Sequence, residues 1–190
     1  MLKRFILIFI LLSTSLATFN LQAGELEQGF QAFTEGNYEQ ALRLWLPIAE
    51  KDNDKAQYNL GLLYSKGLGV EKNLKTAFIW YKRAAANGNT DAMYNLGIMY
   101  DKGRVIYRSP KDAIKWWKKA AELGNAAAQY NIAVQYAYGR TLGKDVNKAI
   151  MWWKKSAQQG NKDARAALYR TYSEGLFDQV VNPKEAKRWK

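Results

Sequence analysis

The sequence predicts an all-α protein, a solenoid of stacked helical hairpins, and three observations predict it. First, residue types recur at a fixed interval: Ala56, Ala92, Ala128 and Ala164 are each 36 apart, as are Tyr64, Tyr100, Tyr136 and Tyr172, and Gly67, Gly103, Gly139 and Gly175. A period of this size marks a stacked repeat architecture. Second, within each period the apolar residues follow the i, i+3, i+4, i+7 stripe of amphipathic helices in two pieces, Ala56-Leu60-Tyr64 and Ala77-Trp80-Tyr81-Ala84-Ala85 with their copies, and no strand alternation competes. Third, the helix punctuation keeps the same interval. Gly88, Gly124 and Gly160 fit left-handed stops, each followed at once by a capping asparagine, Asn89, Asn125 or Asn161.

Taken in chain order, residues 1–23 stand apart. Lys3 and Arg4 precede the apolar run Phe5 to Leu12, and small residues follow up to Ala17 and Ala23. This is the layout of a secretory signal peptide, with cleavage expected after Ala23 and a cut after Ala17 as the alternative. The run is short of the ~20 residues of a spanning helix. Its removal would leave 27 basic and 17 acidic residues, a charge of +10, on a chain expected to be periplasmic or secreted. Such a surface attracts acidic proteins, anionic lipids and polysaccharides. There is no cysteine, so a disulfide framework and a lipid-modified amino-terminal cysteine are both excluded.

Residues 24–190 form the expected helical domain. Residues 25–53 make a first hairpin around the short turn Gly36-Asn37-Tyr38, with Ala41 lying 36 before Ala77; Pro47 falls inside its second helix, where it should kink the helix and leave the Arg43 carbonyl unpaired. Three full repeats follow at 54–89, 90–125 and 126–161. In the first, helices are expected at about 54–66 and 74–87. The second helix of each repeat starts behind Asn73, Ser109, Asp145 or Asn182, and Pro110 and Pro183 occupy the first helical position, where no amide hydrogen is needed. The last repeat, 162–190, is truncated: its connection, Leu176 to Val181, is one residue longer, and 8 residues remain after Asn182.

Gly61 and Gly97, replaced by Ala133 and then Tyr169, are expected to let the two helices of a hairpin approach closely, with looser packing in the last repeat. A lone hairpin cannot cover its apolar face, so neighbours must. The pairs Trp80-Tyr81, Trp116-Trp117 and Trp152-Trp153 are the expected packing material, each ring removing about 150–250 Å² from water.

These positions together, A-x-x-x-L-G-x-x-Y-x-x-G, then a cap, K-x-A, an aromatic pair, K-[KR]-A-A and glycine, resemble the Sel1-like repeat, a subclass of the tetratricopeptide superfamily. "AMYNLGIMYDKG" with "AIKWWKKAAELGN" carries the likeness best, which covers about residues 54–190. "FTEGNYEQALRLWLPIAEKDN" looks like an ordinary tetratricopeptide hairpin and would cap the stack. The resemblance implies a right-handed superhelix whose first helices line a concave groove and whose second helices form the convex side.

Chemistry is poorly provided for. Histidine and cysteine are absent, removing the usual general base, the thiolate nucleophile and the commonest zinc ligands. None of the six serines is followed three residues later by lysine. No catalytic residue, cofactor, metal or small-molecule substrate is expected, although carboxylates such as Glu35, Glu39, Asp91 and Asp101 leave a cell-wall-active hydrolase as one alternative. Lys82-Arg83, Lys118-Lys119 and Lys154-Lys155 interleave with tryptophan, yet the repeat accounts for them as the solvent side of the second helix, with stems lying over rings. No nucleic-acid partner is expected, while an anionic envelope polymer such as lipopolysaccharide or glycan is the other alternative.

"YNLG" at Tyr58, again at Tyr94, and as "YNIA" at Tyr130 places an asparagine inside a helix three times, at a cost in helix propensity. Leu60, Leu96 and Ile132 should face the second helices, which turns Asn59, Asn95 and Asn131 by ~100° toward the implied groove, with Tyr58, Tyr94 and Tyr130 beside them. In related tetratricopeptide domains an asparagine at the matching place holds a peptide main chain. The resemblance therefore implies a scaffold, expected to be monomeric, that binds a protein or peptide partner through these six residues. The alternative is that each asparagine bonds within its own repeat or to the adjoining helix.

Overall fold

The computed structural model describes residues 24–105 and 107–190; the expected signal segment, residues 1–23, lies outside them. Helix α1 covers residues 24–34, followed by α2 (Tyr38–Glu50), α3 (Asp54–Lys66), α4 (Leu74–Ala86), α5 (Thr90–Lys102), α6 (Pro110–Glu122), α7 (Ala126–Tyr138), α8 (Val146–Gln158), α9 (Lys162–Glu174) and α10 (Pro183–Arg188). A 3₁₀ turn, Leu176–Asp178, precedes α10. The described residues contain no strand: the fold is all-α, made of helical hairpins in tandem. None of these helices is long and apolar enough to cross a membrane.

The caps sit where the residue types placed them. Asn53, Asn89, Asn125 and Asn161 each accept the amide three residues on, as do Asn73, Ser109, Asp145 and Asn182 at the second helices. A further contact repeats with them. The amides of Asn73, Ser109 and Asp145 donate to the carbonyls of Tyr64, Tyr100 and Tyr136, which pins each connection across its base. In the last repeat Asn182 reaches Tyr172 at 2.7 Å, and the extra residue is absorbed by the 3₁₀ turn. That turn puts Phe177 in the left-handed region at φ 59°, two residues past a capping glycine, a place the first repeat gives to Gly69.

Helix α2 runs from Tyr38 to Glu50 with Pro47 inside it, and Trp45, Ile48 and Ala49 hold it by burial. One expectation changes. The small residue of each first helix accommodates a ring rather than a backbone. A Cβ on Gly61 would lie 2.6 Å from the Tyr81 ring, and one on Gly97 2.3 Å from the Trp117 indole.

The described residues form two compact units, residues 24–88 and those from 89 to 190. The core of the first gathers Trp45, Ile48, Leu60 and Leu63. In the second, Ala133, Trp153, Ala157 and Leu168 cluster, with Tyr130, Phe177 and Trp189 packed against them. One ring of each aromatic pair is buried (Tyr81, Trp117, Trp153), and its neighbour carries a cation instead: Arg83 over Trp80, Lys119 over Trp116, Lys155 over Trp152.

Candidate functional site: the first helices of each unit

Leu60, Leu96 and Ile132 are wholly buried. In the first unit, Asn59 is enclosed at 6% exposure and Tyr58 lies with its ring centroid 5.8 Å from that of Tyr81. In the second unit, Tyr94, Asn95, Tyr130 and Asn131 are half-buried. Asn131 lies close enough to the Tyr94 hydroxyl of the preceding first helix to act on it. Burial pushes the Tyr94 hydroxyl above its ordinary pKa, with Asn131 pulling the other way and Asp163 adding to the rise. Burial, then Asp163 and Tyr138, do the same to Tyr130. Both phenols are neutral at physiological pH and able to donate.

One repeat later the Tyr-Asn pair has no counterpart. The position 36 residues after Asn131 is Ala167, and the one after Tyr130 is Ala166. Beside these two alanines lies a cleft of about 200 Å³ between α7 and α9, walled by Tyr130, Val134, Tyr138, Trp153, Arg170 and Phe177. Phe177 stands edge-on to Tyr138 at 5.3 Å and tilted against Trp153 at 5.9 Å. Val134 also lines a second cleft of about 320 Å³ between α5 and α7, together with Tyr94, Lys102, Asn131, Gln135 and Arg140. Val134 is shared by the two clefts, which together are called the trough of this unit.

The floor of the trough is not chemically complete. Trp117 donates its indole N–H to the Tyr94 carbonyl at 3.2 Å, and in the first unit Trp45 donates likewise to Leu26 at 3.3 Å. Each time the residue three places after the accepting carbonyl is glycine, Gly97 or Gly29, where a Cβ would fall 2.3 or 2.2 Å from the indole nitrogen. At the matching place in α7 stands Ala133, whose methyl occupies that space. Trp153 is 2% exposed, and its N–H has no acceptor. The carboxamide oxygen of Gln135 is likewise enclosed without a donor. One donor beneath the α7/α9 cleft and one acceptor beside the α5/α7 cleft are thus enclosed without partners.

Sequence reasoning missed Gln135, Trp153 and the Ala166-Ala167 pair, although the failure of the Tyr-Asn motif at its fourth copy marked the place. Among the described residues no group of three His, Cys, Asp or Glu could hold a metal ion.

A model of the Sel1 repeat matches residues 23–53, 54–89, 90–125 and 126–161. Among solved structures, a Sel1 repeat protein from Oxalobacter formigenes is 30% identical with a TM-score of 0.81, covering 91% of this chain and 70% of that one. A protective antigen of uropathogenic Escherichia coli with an SLR fold is also 30% identical, with a TM-score of 0.75; 88% of this chain matches, spanning 37% of that protein. Helicobacter pylori cysteine rich protein B, at 18% identity and TM-score 0.57, shares the fold. No curated protein sequence matches significantly.

Proposed function

Because this chain belongs to the Sel1 repeat family, whose fold is typically a protein-interaction scaffold, we propose that it is an exported, non-catalytic adaptor that holds a partner's extended segment along the first helices of its repeats. Export rests on the signal layout of residues 1–23, and cell fractionation tests it: mature protein retained in the cytoplasm rejects that part.

The observation that carries the binding reading is the trough of α5, α7 and α9, where an enclosed Trp153 N–H and an enclosed Gln135 oxygen lack partners between half-buried tyrosines. Leaving such groups dry costs about 1–3 kcal/mol each, and a docked main chain that displaces the side chains covering them relieves it. Asn95, Asn131 and the tyrosines supply further hydrogen bonds.

The test is panning of a random peptide library on the folded protein, with selected peptides measured against Asn95→Ala and Gln135→Leu variants. Weakened binding at an unchanged melting temperature supports the trough. Peptides that bind both variants as they bind the wild type would remove it.

The charge distribution favours a second reading. Residues 24–88 hold 8 basic and 8 acidic residues, whereas residues 89–190 hold 19 and 9, so the second unit carries the whole excess. A polyanion lying on the lysines of α6 and α8 would use that charge. Its affinity would fall steeply with salt and ignore the Asn95 and Gln135 changes.

A further inference from the structure

Resting on the reading of the trough as a peptide site, the geometry points to the kind of segment it selects: an acidic stretch carrying one bulky apolar side chain, with that side chain seated in the α7/α9 cleft. Two independent features lead there. The first is shape. Ala166 and Ala167 stand where the preceding first helices carry Tyr-Asn, and the space they vacate is bounded by Tyr130, Tyr138, Trp153 and Phe177. Aromatic faces and edges on several sides suit a ring or a branched aliphatic group, which gains area burial and ring contacts together. Phe177 adopts a left-handed backbone that favours glycine, and its ring forms one wall of the cleft.

The second feature is charge. Lys102 and Arg140 line the neighbouring α5/α7 cleft, and among the described residues neither has a carboxylate partner within ion-pair distance. Arg140 is held over the Tyr138 ring, 5.4 Å from its centroid, on the boundary between the clefts. Asp101, which shares the cleft, is paired with Arg108 at 3.8 Å. Asp163 and Arg170 sit at the α7/α9 end, and Arg170 is paired with Glu174 at 3.5 Å. Two unpaired cations beside the trough, in a unit of 19 basic and 9 acidic residues, favour carboxylates on the partner.

The probe is a fluorescein-labelled ten-residue peptide with four glutamates and one central phenylalanine. Its comparators replace phenylalanine by alanine, or all glutamates by glutamine or by lysine. Anisotropy titrations at 150 mM salt should show the acidic phenylalanine peptide binding tightest, with each replacement weakening it by about tenfold or more. Ala166→Tyr with Ala167→Asn restores the pair of the earlier helices and fills the cleft. It should abolish the phenylalanine preference while Tm is retained. Arg140→Glu, at an exposed position, should weaken the acidic peptide by about tenfold and provides the test should the filled variant fail to fold.

Equal affinity of the phenylalanine and alanine peptides, or wild-type binding by Arg140→Glu, overturns the proposal. So does an equal loss in a Lys118→Glu/Lys119→Glu variant, which reveals diffuse attraction of a polyanion to α6. If no peptide of any charge binds, the trough reading falls as well. If peptides bind and respond to Asn95→Ala without preference for ring or charge, this inference alone falls.

Discussion

The second and third repeats, α5/α6 and α7/α8, share length, caps and connection, yet they treat their polar groups in opposite ways. In the second, Gly97 leaves room for Trp117 to donate to the Tyr94 carbonyl, and Asn131 from the next repeat lies beside the Tyr94 hydroxyl. In the third, Ala133 takes the space, Trp153 has no acceptor, and Ala167 provides nothing for the Tyr130 hydroxyl. One methyl gained and one amide lost, each at a position fixed by the 36-residue period, leave the Trp153 N–H unpaired and line the α7/α9 cleft with alanine where the α5/α7 cleft has asparagine. Function in a repeat protein lies in such departures from the period, since the period itself encodes packing.

Breaking the closed repeat should have the largest effect. Gly97→Ala brings a Cβ to 2.3 Å from the Trp117 nitrogen, so the ring must move and its hydrogen bond must go. A loss of about 2–4 kcal/mol is expected by denaturant unfolding, from overpacking together with the stranded N–H. A variant as stable as wild type would mean that the glycine does not determine where the ring lies.

The first unit fills the same place with Tyr81, whose hydroxyl meets Ser65 at 3.3 Å. Burial pushes its pKa up to about 12 from 10.0. The folded state therefore holds the proton more tightly, and the contribution is complete below pH 10 and lost as pH rises toward 12. Over that window wild type should lose about 2–3 kcal/mol more stability than Tyr81→Phe. Parallel curves for the two proteins would contradict the buried phenol.

The contact of Asn131 with the Tyr94 hydroxyl is weaker. Asn131→Ala and Tyr94→Phe should each cost about 1 kcal/mol or less, and the double variant should cost less than their sum because the two groups act on one another. Additive losses would deny the contact. Smallest is Ala133→Gly, which frees space for the Trp153 N–H to reach the Tyr130 carbonyl but weakens helix propensity by about 1 kcal/mol. Stability should change by under about 1 kcal/mol, while the Trp153 indole resonance moves toward that of Trp117.

Much of the fold was readable because its determinants are local. A capping asparagine and a left-handed glycine act within one turn, so Asn89 or Gly103 announces a boundary wherever it stands. The hairpin stripe was equally plain. What escaped reading depends on atoms far apart in sequence: Asn131 faces groove or neighbour according to a tyrosine 37 residues earlier, and whether Ala133 makes room or removes it depends on the rotamer of Trp153. The cleft was legible only as a negative, the absence of Tyr-Asn at 166–167.

The central claim is that the Trp153 N–H and the cleft around it receive a partner's segment. The most direct measurement follows the tryptophan indole N–H resonances of the ¹⁵N-labelled protein during titration with the acidic phenylalanine peptide. The account predicts a saturable downfield shift of Trp153 as its N–H gains an acceptor, with Trp117, already bonded to Tyr94, nearly still. A peptide that saturates the protein while Trp153 stays in place would contradict it.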